Sequence, residues 1–137
     1  MHNQLTNEQK VGGVILLDLN SDKSIYIQIA ELIENDILLA NLKEEDQAPS
    51  TNQFAKVYNI NPATARKGLN ILVDEDILYK KRGMGMFVSP GARKKILKKR
   101  QNTFFKDILP EIITEGNRLE ISVEEIIKFI KDFEGGE

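Results

Sequence analysis

A chain of 137 residues, 41% hydrophobic and 29% charged, has room for one ordinary domain plus a small appendage and enough apolar material for a core. Cysteine is absent and His2 is the single histidine, which excludes disulfides, thiolate chemistry and a metal site made of several imidazoles. The net charge of −2 conceals an asymmetry: residues 1–55 carry −6, residues 56–106 carry +10 and residues 107–137 carry −6, so the middle of the chain is suited to a polyanion.

Residues 1–13 are polar and end in Gly12-Gly13, which predicts a flexible N-terminal arm, followed by a short apolar segment over 14–19. The longest apolar run, Val14-Ile15-Leu16-Leu17, ends at Asp18, far short of the roughly 18 residues of a membrane span. Met1-His2-Asn3-Gln4 lacks the charged and apolar regions of a signal peptide, so a cytoplasmic protein without a membrane partner is expected. Ser24 is placed to cap a first helix, in which Ile25, Ile29, Leu32, Ile33 and Ile37 form one apolar stripe at helical spacing. Lys43-Glu44-Glu45-Asp46 then reads as an exposed loop.

The segment from Pro49 to Tyr58 reads as a short capped helix, and only Asn59-Ile60 separates it from a second helix opened by Asn61-Pro62. Asn61 can cap with its side chain, and Pro62 suits the first helical position because that N–H has no intrahelical partner. Two helices joined so tightly cross at a large angle, the helix-turn-helix arrangement that lays its second helix in the DNA major groove. Phe54, Val57, Ile60, Leu69, Leu72 and Val73 are expected to pack on the first helix. Residues 79–82 and 86–89 alternate like edge strands around Gly83 and Gly85, whose φ freedom permits a tight reversal, so a hairpin wing follows. The fold class is thus mainly α with a small β component (α+β), a winged helix-turn-helix domain over 14–91 followed by a helical arm over 92–137.

Lys56, Arg66, Lys67, Lys80, Lys81 and Arg82 fall on the helix-turn-helix and wing, where phosphates would be met. The runs Arg93-Lys94-Lys95 and Lys98-Lys99-Arg100 read as a solvated face. Arg66 can fork onto a guanine edge or clamp a phosphate, with an ion pair to an acidic neighbour as the structural alternative; Thr64 can donate to a phosphate or set its methyl on thymine, or merely occupy the helix surface. Ser50 and Thr51 can present hydroxyl and backbone N–H groups to a phosphate at a helix N-terminus, although capping alone explains Ser50. Gly83 would let the wing backbone approach a groove closely, or serve only its turn.

In the tail, one long helix carries Ile96, Leu97, Phe104, Phe105, Ile108 and Leu109, with a bend near Pro110, and a second begins at the capping box Ser122-Val123-Glu124-Glu125. Ile126, Ile127, Phe129, Ile130 and Phe133 make that second helix strongly apolar. Two helices cannot enclose a core alone, so a second copy is expected to cover Ile96, Phe104, Phe105, Ile108, Ile126, Ile127, Ile130 and Phe133, giving a homodimer.

From Ser24 to Ser89 the residues carry a resemblance. Ile25-Tyr26-Ile27-Gln28-Ile29-Ala30, then Pro49-Ser50, then the second motif helix through Arg66, then Gly83-Met84-Gly85-Met86-Phe87-Val88 resemble, in that order, the winged helix-turn-helix of the GntR family of bacterial transcription regulators. Asn61-Pro62-Ala63-Thr64 and the short tail are similar to the YtrA subfamily. The resemblance implies DNA contacts at the start of the first motif helix (Ser50, Thr51, Asn52), along the recognition helix (Asn61, Ala63, Thr64, Arg66, Lys67) and on the wing (Lys80, Lys81, Arg82, Gly83, Met84). Asn52 and Pro62 stand where the family often has arginine, Met84 where the wing is usually basic, and Asp76 where a helix-ending glycine is common. It also implies a homodimeric repressor on a palindromic double-stranded DNA operator. The tail is too small for the metabolite-binding domain of larger family members, so no small-molecule effector pocket and no cofactor are expected. The rival reading is a winged-helix protein-interaction module without sequence-specific DNA binding. An enzyme is not expected: nothing pairs a nucleophile with a base, and no phosphate-cradling glycine loop follows a strand.

Overall fold

The computed structural model describes residues 10–11, 14–15 and 23–133. Strands β1 (Lys10–Val11) and β2 (Val14–Ile15) pair antiparallel, so the arm expected to be loose carries a strand at its end. The rest of that arm and residues 16–19 of the apolar segment, with 20–22 after it, lie outside the described residues. The chain forms two compact units, residues 1–97 and 98–137.

In the first unit, helix α1 (Ile25–Leu38) buries Ile29, Leu32, Ile33 and Ile37 with Ile25 partly covered, the stripe expected from spacing. Ser24 occupies the N-cap position but its side chain makes no cap bond, and its hydroxyl has no partner among the described residues. Helix α2 (Thr51–Tyr58) starts at a full capping box: Gln53 N–H donates to Ser50 Oγ at 3.1 Å while Ser50 N–H donates to Gln53 Oε1 at 2.8 Å. It ends at Asn59 with φ of 55°, a conformation that asparagine tolerates better than most residues. Helix α3 (Pro62–Asp74) opens as expected, with Ala63 N–H donating to Asn61 Oδ1 at 2.7 Å and proline in the first turn.

Helix α3 crosses α1 closely because Gly68 stands at the crossing. A Cβ there would lie 2.7 Å from the Tyr26 carbonyl oxygen and 2.8 Å from Ile29 Cγ2, so a side chain would push the helices apart. Phe54, Leu69 and Leu72 are buried as expected, while Ile60 and Val73 are partly covered. Val57 departs from expectation at 72% exposed. The core side of α2 is set by Phe54, Ala55 and Tyr58, and at 100° per residue Val57 lies roughly a quarter-turn off that face.

Asp76 takes the position past the end of α3 that glycine usually fills, with φ of 60°. Ile77 N–H donates to the Leu72 carbonyl at 2.9 Å and Asp76 N–H to that of Val73 at 3.0 Å, a complete Schellman ending sealed by buried Leu72 and Ile77. Strands β3 (Leu78–Lys81) and β4 (Gly85–Val88) then pair antiparallel, Leu78 opposite Val88 and Lys81 opposite Gly85, each a residue earlier than alternation suggested. Gln47 bridges to Phe87 on the far side of β4. The acidic loop is more than solvated surface: Glu44 accepts the Gly91 N–H at 2.8 Å, Asp46 that of Lys43 at 2.8 Å, and Glu45 the Tyr79 hydroxyl.

Helix α4 (Ala92–Thr103) begins in this unit, and Ala92 and Ile96 are wholly buried in its core. Ile96, expected on a surface for a second copy, is therefore a core residue of its own chain. The helical run then widens into a π turn (Phe104–Ile108) before helix α5 (Leu109–Arg118), with Leu109 N–H reaching back to the Phe104 carbonyl. The expected bend at Pro110 takes this form because proline lacks the N–H and its ring crowds the carbonyl four residues earlier. Helix α6 (Val123–Asp132) starts at the predicted capping box, with Glu125 N–H donating to Ser122 Oγ at 3.1 Å. In this second unit Gly116 is buried, its Cβ position 3.1 Å from Ile126 Cδ1. Phe104, Phe105, Ile108, Ile127, Ile130 and Phe133 are exposed and Ile126 is partly covered. No described helix is long and apolar enough to cross a membrane.

Candidate nucleic-acid interface

On α3 the buried stripe Ala65, Gly68, Leu69 and Leu72 fixes which side chains face outward. At 100° per residue, Ala63, Arg66, Lys67 and Asn70 point away from that stripe and Thr64 sits on its flank. Arg66 is exposed, with no ion-pair partner among the described residues, so the acidic-neighbour alternative is not used. Lys67 is engaged: its ammonium lies 4.1 Å from the centre of the Tyr26 ring. Asn61 spends its side-chain oxygen on the Ala63 cap, leaving only its amide nitrogen to donate outward.

A cleft of about 310 Å3 joins the three regions of the motif. Thr51 contributes from the start of α2, Arg66 and Asn70 from α3, and Lys80, Lys81, Gly83, Met84, Gly85 and Met86 from the wing. Ser50 is committed to the capping box, so what α2 offers outward is the pair of first-turn N–H groups on Thr51 and Asn52, which lack intrahelical acceptors. Asn52 and Arg82 are exposed near this surface without lining the cleft. Of the wing cations, all exposed, Lys81 stacks over the Phe87 ring at 4.5 Å while no ring contact holds Lys80 or Arg82 among the described residues.

The wing tip is fixed from two sides. Met84 N–H donates to the Lys81 carbonyl at 2.9 Å across a turn with Gly83 at φ of 75°. The Gln47 side-chain amide donates to the Met84 carbonyl at 2.7 Å, in space that exists because Gly85 has no Cβ: one would lie 2.8 Å from Gln47 Nε2. Tyr79 adds a brace from β3 to the loop. Its hydrogen bond to Glu45, followed by partial burial and that carboxylate's charge, holds the phenol above its usual pKa and hence protonated.

Sequence reasoning missed Gln47 and Asn70. Asn70 was marked only by standing four residues after Arg66, one turn along the same face. For Gln47 no local signal existed, since its partner is 37 residues away. The run over 93–100 behaves in part as structure: Lys95 Nζ donates to the Asp76 carbonyl at 3.1 Å and Arg93 Nε to that of Leu38 at 3.4 Å.

The sequence profile of bacterial regulatory proteins of the gntR family matches residues 25–88. A solved GntR-family transcriptional regulator from Bacteroides thetaiotaomicron is similar at 34% identity over 80% of this chain and 96% of its own, with a TM-score of 0.67. The HTH-type transcriptional repressor YtrA of Bacillus subtilis is 27% identical over 87% of this chain and 91% of its own length. The HTH-type transcriptional repressor NagR of the same organism is 33% identical over 69% of this chain, which spans only 39% of NagR. The chain belongs to the GntR family of bacterial helix-turn-helix transcriptional regulators.

Proposed function

We propose that this chain is a sequence-specific DNA-binding repressor of the YtrA type that acts as a homodimer on a palindromic operator. The observation that carries the DNA reading is the shared cleft. It sets the first turn of α2, Arg66 and Asn70 of α3 and the basic wing on one surface of a molecule whose terminal thirds are acidic. Thr51, Asn52, Lys80 and Arg82 would hold phosphates, while Arg66 and Asn70 have the chemistry for guanine and adenine edges respectively. Ala63 and Thr64 would lie against the groove, with Lys67 and Lys81 reaching phosphates only by leaving their aromatic rings.

The winged helix of 14–91, its core completed by Ala92 and Ile96, reads DNA, and the tail brings two copies together. Support for pairing comes from Phe104, Phe105, Ile108, Ile127, Ile130 and Phe133, all exposed in one copy, each able to contribute about 1.5 to 3 kcal/mol when buried. Similarity to YtrA along most of both chains, and the word repressor in the names of YtrA and NagR, support the subfamily and the sign of regulation.

The test is duplex binding across a salt series, using a selected operator and a random sequence. Neutralising Lys80, Lys81 and Arg82 together to alanine should flatten the salt dependence by about two to three units of slope, since each phosphate contact contributes roughly 0.9. An unchanged slope would move the phosphate contacts off the wing. Failure to bind either duplex would favour the protein-interaction reading.

A further inference from the structure

We propose that Met84 acts as an apolar wedge at the wing tip, entering the minor groove at a deformable pyrimidine–purine step and bending the operator. This rests on the reading of the chain as a DNA-binding regulator. Met84 is 61% exposed, yet it is not a loose surface methionine. Its N–H is closed onto Lys81 and its carbonyl is clamped by the Gln47 amide, so both sides of its backbone are fixed. Both flanking residues are glycines, and nothing lies within 4 Å of where a Gly83 Cβ would stand. The tip is therefore the three-residue loop Arg82-Gly83-Met84, on which Met84 is the one apolar side chain, flexible and polarisable. Arg82 shares the loop and Lys80 stands behind it on β3, both exposed and able to reach phosphates near an entry point.

A thioether offers no hydrogen bond to a base edge, so Met84 cannot read a donor and acceptor pattern. What an exposed apolar side chain can do in a groove is displace water and part a base step, as methionine and other apolar wedges do in minor-groove proteins. The cost of unstacking is least at TA and CA/TG steps, which makes the wedge selective without base hydrogen bonds. Preorganisation by Gln47 and Gly85 matters because a mobile tip would lose in ordering what it gained in contact.

The experiment uses the full chain and an operator duplex selected from a random pool, reading affinity and, by end-to-end energy transfer, the bend. Met84→Ala should weaken operator binding about tenfold and remove most of the bend. Met84→Leu, which keeps an apolar wedge, should retain both. Met84→Lys should recover affinity with a steeper salt dependence while leaving the duplex straight. Thermal unfolding of each variant should match the parent, since the side chain packs little within the protein. Tight binding with the same bend in the alanine variant, or a straight duplex with the parent protein, would overturn the wedge and leave the regulator reading intact. Binding of no duplex by the parent would overturn both.

Discussion

The two units are built from similar amphipathic helices and end in opposite states. Among the described residues, every buried hydrophobic side chain lies at or before Ile96, whereas 12 of the 16 large hydrophobic residues that are exposed lie between Phe104 and Phe133. The difference is not in local order. Helix α6 has a full capping box, and α5 closes with Ile121 N–H on the Gly116 carbonyl at 2.8 Å, as complete as any ending in the winged helix. What differs is how many elements meet on one face. Three helices, the hairpin and the first turns of α4 converge on the Ile29 and Leu69 core. On α6, Val123, Ile126, Ile127, Phe129 and Ile130 span some 160° of the helix circumference, more than one neighbouring helix covers. Good local structure with too few partners in one copy is what the proposed pairing would complete.

Truncation separates the two halves most sharply. A chain ending at Leu97 should remain folded and be monomeric, with operator affinity lower by about 100-fold or more because two linked half-sites are lost. Ending at Gly91 instead removes Ala92 and Ile96 from the core, and should lower stability by about 2 to 5 kcal/mol in addition. Equal unfolding midpoints for the two truncations would contradict the assignment of Ile96 to the intramolecular core.

Two glycines sharpen the contrast further. Gly68→Ala should destabilise the winged helix by about 1 to 3 kcal/mol despite alanine's better helix propensity, because the new methyl meets the backbone of Tyr26. Gly116→Ala meets only the end of the flexible Ile126 side chain, so the gain of about 1 kcal/mol in propensity should leave it neutral or stabilised. Chemical denaturation of both variants measures the difference, and a harmless Gly68→Ala would mean the α1–α3 crossing is looser than described.

What the sequence disclosed follows the reach of its signals. The caps at Ser50, Asn61 and Ser122 were legible because donor and acceptor lie within three residues, and the α1 stripe because its period is intrinsic to the helix. The outward turn of Val57, the capture of Ile96 and the clamp of Gln47 on Met84 were not, since each depends on an element remote in sequence. Asp76 lies between these cases: the missing glycine was visible, but not the Lys95 ammonium that reaches its carbonyl.

Within the site, Arg66→Ala should cost about 1 to 3 kcal/mol of operator affinity and relax sequence preference if Arg66 reads a base. An equal loss on operator and random DNA would make it a phosphate contact instead. The smallest effect belongs to the tail's capping box. Hydrogen bonds from the Ser122 N–H and hydroxyl region hold Glu125 below the usual carboxylate range, so its contribution is present at neutral pH and is lost as pH falls through that lowered value. Ser122→Ala keeps the backbone N–H, the larger cause, so it should weaken this acid dependence without abolishing it, and should remove about 1 kcal/mol with the hydroxyl cap, as helicity against pH would record.

The central claim, that the tail's uncovered face is closed by a second copy, is tested most directly by sedimentation equilibrium of the full chain at micromolar concentration. The account predicts a mass twice that of the 15.6 kDa chain, sharpening to a single species as concentration rises. A particle of 15.6 kDa throughout that range would contradict it.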